Sequence, residues 1–185
     1  MVEFTLVLPI LLLLVLTLGD FGRVFAASIT IESAARTAAE VAAAEYLRET
    51  SPVTPAGYTR VHQYAWQSVC DEASSLPNAS PGSGGGECSG LPTVVCVHDG
   101  QDPDCANAYN AGGGLPAACA NLSPGARPTN AQNGGSEASR YVEVRVCYRF
   151  STIFQVIIPF IGGALSPLGG DFYLERTRMF TVADY

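Results

Sequence analysis

The chain has 185 residues and a formal net charge of −7, which leaves room for one domain plus an appendage. Acidity of this degree makes nucleic acid an improbable partner and sets that class aside. All ten basic residues are arginine, so lysine-based isopeptide cross-linking is excluded as well.

The chain opens on an apolar run. Phe4 to Gly19, 16 residues between Glu3 and Asp20, carry no charge. Such a run makes a helix about 24 Å long, close to the ~17–25 residues of a membrane span, and Phe21, Val24 and Phe25 extend its apolar character. A cleavable signal peptide is the plainest alternative. It is disfavoured because no basic segment precedes the run and because the helical pattern flows on without a break. Ile31, Ala35, Ala38 and Ala42 mark one face at 3–4 residue spacing. Glu32, Arg36 and Glu40 lie four apart on another face, a spacing that supports Glu–Arg pairs. Alanine is the best helix former, so the helix is predicted from about Val2 to Thr50, where Pro52 and Pro55 end it. At roughly 70 Å it is longer than the domain, and about half of it must protrude. Pro9 lies inside it and deletes one amide hydrogen bond, which predicts a bend or local loosening.

A second helix is predicted over Tyr58 to Ala73, and Ser74 to Gly90 reads as loop. Leu91 to His98 reads as a strand. Asp99 to Gly135 is a second long loop, rich in glycine and proline. Tyr141 to Phe150 alternates strictly, with Val142, Val144, Val146, Tyr148 and Phe150 on a buried face and Glu143, Arg145, Cys147 and Arg149 on a polar one. Ser151 to Leu165 is apolar but interrupted, and suits a docked loop, a short helix or a contact patch. Phe172 to Val182 reads as the last strand, with Arg176 and Arg178 breaking its apolar face. The whole predicts an α+β fold, a small antiparallel sheet laid over a long N-terminal helix, with Gly/Pro-rich loops stapled by disulfides. The expected division is 1–26 as an apolar membrane or filament-core half-helix, and 27–185 as an extracytoplasmic globular domain that keeps the second half of the helix.

Six cysteines, Cys70, Cys88, Cys96, Cys105, Cys119 and Cys147, make an even count with no C-x-x-C pair. That spacing excludes a zinc ribbon or c-type haem. Beside a membrane-inserted start it predicts three disulfides in an oxidising compartment. Connectivity stays open; the spacing suggests Cys88–Cys96 and Cys105–Cys119 as local staples, with Cys70–Cys147 as a long tie. No nucleophile elbow, zinc-protease motif or phosphate loop occurs, so no enzymatic activity, cofactor or metal is expected. Asp99, Asp102 and Asp104 form an acidic cluster, but it lacks the spacing of a calcium loop.

An acidic residue directly ahead of an apolar helix has no partner in lipid, and an unpaired buried charge is costly. The α-amine of a neighbouring copy would supply one. At these residues the chain resembles a family. Val2-Glu3-Phe4-x-Leu6-Val7-Leu8-Pro9, the leucine run and Asp20-Phe21-Gly22-Arg23-x-Phe25 are similar to the TadE-like pilins and pseudopilins of tight-adherence (type IVc) pili. The N-terminal likeness covers about 45 residues, and the C-terminal strands carry a weaker one. It implies a structural subunit that polymerises through its N-terminal helix, with Glu3, Phe4, Pro9, Asp20, Phe21 and Arg23 as the assembly residues. The implied partners are copies of the same chain in a helical filament, a prepilin peptidase with inner-membrane assembly machinery, and the lipid bilayer before assembly. The implied location is the inner membrane, then an extracellular filament on a prokaryotic surface. Such pilins are made with a short basic leader, and their Glu stands fifth in the mature chain rather than third. The expectation is therefore either that Met1 is a translation start and the leader is missing, or that the numbering begins about two residues inside the mature chain. Two other roles remain open: a minor pseudopilin that primes or tips the filament, and a membrane-anchored binding domain that never polymerises.

Overall fold

The computed structural model describes residues 2–49, 53–77, 79–81, 88–99, 140–152 and 171–182, with the side chains of the first helix described from Val7 onward. The first helix, α1, runs from Val2 to Arg48 and passes through Pro9 without interruption. The second, α2, spans Pro55–Ala73. Pro55 does more than end α1. Thr54 caps α2 by accepting the Gly57 amide, and Pro55 occupies its first turn, a position that needs no amide hydrogen. The helix therefore begins three residues earlier than Tyr58.

Two short strands, β1 (Ser80–Pro81) and β2 (Cys88–Ser89), pair antiparallel within the stretch read as loop. The main sheet contains β3 (Thr93–Val97), β4 (Tyr141–Ser151) and β5 (Asp171–Thr181) in that spatial order, all antiparallel. The α+β architecture predicted from patterning is thus present: a long helix lies beneath a small antiparallel sheet. The apolar Ser151 to Leu165 stretch lies almost wholly outside the described residues, as does Asp99 to Gly135 beyond its first residue.

One core joins these elements. Ala27, Ile31, Ala34, Ala35, Ala38, Ala39, Ala42, Ala43 and Tyr46 of α1 are buried against α2 and the sheet. A stripe of alanines lets a helix and a sheet approach closely while keeping helix propensity high. The sheet contributes Val95, Val97, Val142, Val144, Val146, Tyr148 and Phe150. Tyr148 donates to the Pro77 carbonyl at 2.5 Å. Burial pushes its phenol above the ordinary tyrosine range, and the Arg23 guanidinium partly opposes that shift.

The second face of β4 departs from the alternation. Glu143 and Cys147 are buried as deeply as the valines. Glu143 is held by His98 Nε2 at 2.7 Å and by Arg145 Nε at 2.5 Å, and Arg145 reaches Glu175 at 3.7 Å. A strand covered on both faces can keep a carboxylate only where cations and donors meet it, and here an arginine and a histidine do.

Cysteine pairing also differs from the spacing-based expectation. Cys70 at the end of α2 bonds Cys88 in β2, not Cys147, and so Cys88 is not joined to Cys96. Cys96 and Cys147 are both disulfide-bonded. Cys96 faces Glu143 in the ladder, four rungs from Cys147, about 13 Å along the strand and too far to bridge. Their partners lie outside the described residues, where Cys105 and Cys119 also fall. Spacing in the chain failed as a guide because the hairpin β1–β2 folds Cys88 back onto the end of α2.

Candidate assembly surface

The apolar run forms helix because leucine is a strong helix former and nothing in it after Pro9 breaks the hydrogen-bond ladder. What it lacks is a covering. Leu8, Ile10 through Val15, Leu18, Phe21 and Phe25 are exposed around the helix circumference, and Leu18 and Phe21 each show more than two thirds of their surface. Ala27 is the first buried residue along α1 among those described. A helix apolar all round belongs in an apolar environment. Each large side chain that finds one contributes roughly 1.5–3 kcal/mol. By length and composition this is the one helix among the described residues able to cross a membrane, and none of its most apolar stretch is covered by the rest of the chain. Thr17 returns its hydroxyl to the Leu13 carbonyl at 2.8 Å, so the run exposes no unsatisfied hydroxyl there.

The run ends on a charged pair that is fastened to the sheet. Arg23 donates to Asp20 at 3.1 Å, the i,i+3 pair that its spacing predicts. Its guanidinium also lies over the Phe150 ring, 5.2 Å from the centroid, a cation–π contact at the end of β4. Phe21 and Phe25 point away from that contact and stay exposed, whereas Val24 packs against the core. Of the other residues singled out by sequence, Pro9 lies exposed within the run. Glu3 and Phe4 belong to the first turns of α1, and their side chains are outside the described part. Asp20, Arg23 and Phe21 are therefore gathered at one level of the helix, about 25 Å from Glu3.

The helix face above this level holds contacts that sequence reasoning missed. Arg176 lies 3.8 Å from Glu32 and donates to Ser28 Oγ at 2.5 Å, and Arg178 donates to the same Glu32 carboxylate. Of the two helix pairs that the spacing of Glu32, Arg36 and Glu40 supports, Arg36–Glu40 forms at 3.0 Å, whereas Glu32 turns to the sheet. The signal was available, because Arg176 and Arg178 interrupt an otherwise apolar face of β5. Glu32, Arg36 and Glu40 of α1, with Arg178, Met179 and Phe180 of β5, line an open groove of about 400 Å³. Asp99 was a candidate cation ligand, yet its Oδ2 accepts from Tyr46 at 2.8 Å and from Tyr58 at 2.5 Å. It serves to tie α1 to α2 at the far end of the domain. Asp102 and Asp104 lie outside the described residues, and no group of three metal-binding side chains occurs among the described ones.

The family model for TadE-like proteins matches residues 1–40. The resemblance carried by Glu3, Pro9 and the Asp20 to Arg23 exit therefore holds over the stretch that contains the uncovered helix. No curated protein and no solved structure matches the chain.

Proposed function

We propose that the protein is a pilin-like structural subunit that assembles through α1 into an extracellular tight-adherence filament. The observation that carries this reading is the apolar half of α1, which leaves a well-packed domain with its whole circumference uncovered. Before assembly that half-helix, residues 1–26, sits in the inner membrane. Afterwards neighbouring copies replace the lipid, and residues 27–185 form the outer surface. Lipid and packed helices are similarly apolar, so the exchange depends on polar groups that lipid leaves unpaired. Glu3 is such a group, and the α-amine of the adjacent copy is its partner. Phe4 and Phe21 pack between helices, Pro9 softens α1 as it leaves the bilayer, and the Asp20–Arg23 pair sets the depth of insertion. A prepilin peptidase and inner-membrane machinery act on the chain before it polymerises.

Deletion of residues 1–26, with export supplied by an unrelated cleavable signal, tests the division. The expected product is a soluble, monomeric, disulfide-bonded domain that neither forms nor joins filaments, as read by sedimentation and electron microscopy. Polymerisation of that product would assign assembly to the globular part and overturn the reading.

A further inference from the structure

The contacts between α1 and β5 fix how the sheet stands on the helix. Phe150, which faces Phe172 in the ladder, lies under Arg23. Arg176 meets Ser28, Arg178 meets Glu32, and Phe180 shares a groove with Arg36, Ala39 and Glu40. Ascending numbers on one element match ascending numbers on the other, so β5 runs parallel to α1. The rises agree: Phe172 to Phe180 spans about 26 Å of strand, and Arg23 to Ala39 about 24 Å of helix. The closed end of the β4–β5 pair, where Ser151 faces Asp171, is therefore its end nearest the apolar run.

The height of that end follows from the sequence. The uncharged run stops at Gly19, so the hydrocarbon boundary lies near Asp20. Arg23 stands three residues higher, about 4.5 Å along the axis. The headgroup layer on each side of a bilayer is about 5–7 Å thick. A helix tilted by about 20° keeps nearly the same height. The lower end of the sheet thus falls within the headgroup layer whenever α1 spans the bilayer. The side chains at that level suit it. Phe21, Phe25 and Phe172 are exposed aromatics, Arg149 is exposed one strand away, and Arg23 is partly so. Aromatic rings and arginines are the residues that settle among glycerol and phosphate groups.

We infer that the Ser151/Asp171 end of the β4–β5 pair is a lipid-headgroup contact, a foot on which the domain rests in the membrane-inserted subunit. The inference rests on the membrane-inserted stage of the proposed function. It adds a second contact besides the helix, one that must be released when the subunit leaves the bilayer.

The test uses the full disulfide-bonded chain in vesicles of phosphatidylethanolamine and phosphatidylglycerol, with bromine placed near the glycerol end of the acyl chains as a quencher. Trp66 is the single tryptophan, and its indole nitrogen finds no hydrogen-bond partner among the described residues, so Trp66→Phe provides a dark background. Phe172→Trp reports on the foot, Leu12→Trp on the span, and Leu47→Trp on the far end of α1, about 36 Å above Arg23. Ser151→Trp is a second reporter of the foot should Phe172→Trp fail to fold. The expected result is strong quenching of Leu12→Trp, quenching at least half as strong at the foot, and none at Leu47→Trp. A foot as unquenched as Leu47→Trp, beside a quenched Leu12→Trp, would overturn the inference and leave membrane insertion intact. An unquenched Leu12→Trp would remove the insertion and the foot together. Shielding of the foot that develops only at high protein-to-lipid ratio would assign this surface to a second copy, and would overturn the inference as well.

Discussion

Arg178 on β5 donates to the Glu32 carboxylate on α1, across 146 positions of sequence. With Arg176 on the same carboxylate, it locks the register between a strand at the end of the chain and a helix at its start. The pair is nearly half exposed on both sides, so water and salt screen it. Arg178→Ala should therefore lower stability by no more than about 1 kcal/mol. Urea unfolding of the full chain in detergent, followed by near-ultraviolet circular dichroism, would measure it. A loss several times larger would mean that the register depends on this contact alone.

Glu143 offers the opposite case. Its side chain is 1% exposed and holds both His98 and Arg145. Glu143→Ala removes the anion and leaves an arginine and a histidine facing a buried gap, a change worth roughly 3 kcal/mol. The same unfolding measurement should rank Glu143→Ala well below Arg178→Ala; equal effects would contradict the burial argument.

Tyr148 makes stability depend on alkaline pH. Its phenol titrates above the ordinary value near 10 because burial disfavours the phenolate. The folded state thus prefers the protonated form. The contribution is complete below the unfolded pKa and is lost as pH rises through the higher folded pKa. Tyr148→Phe loses the hydrogen bond to Pro77, about 1 kcal/mol, and should flatten the stability decline above about pH 10. A decline as steep as in the parent chain would place its origin in other groups.

The Cys70–Cys88 bridge closes a loop with a sequence separation of 18. Chain entropy assigns such a loop about 3 kcal/mol. Cys70→Ser should therefore reduce the yield of folded protein sharply, more than any surface arginine variant does. Thiol labelling of the denatured parent chain should detect no free cysteine.

Glu3→Leu should still insert in the membrane and fold, because the packed core begins at Ala27. It should assemble poorly, because the variant has no carboxylate for the neighbour's α-amine. Filaments of normal number and length, counted by electron microscopy of sheared surface material, would remove Glu3 from the mechanism.

Much of this molecule is legible from local pattern. Phe4 to Gly19 declare themselves because a charge-free run of that length has no place on a water-soluble surface. The alanines after Ile31 announce a long helix, and the alternation from Tyr141 to Phe150 announces a strand, since both periods are set by backbone geometry within a few residues. The Asp20–Arg23 pair follows from helix spacing for the same reason. Contacts between distant elements did not follow. Glu32 could pair with Arg36 or with the sheet, and only the parallel course of β5 along α1 decides it. Glu143 reads as a solvent-facing residue until the second face of β4 is seen to be buried. Cys70 finds Cys88 because a two-strand turn brings it to the end of α2, which spacing does not encode. Local hydrogen-bond periodicity and hydrophobicity are properties of short segments and are written in the sequence. Partner choice among charges and thiols depends on which surfaces meet, and that is settled only when the helix and the sheet close on one core.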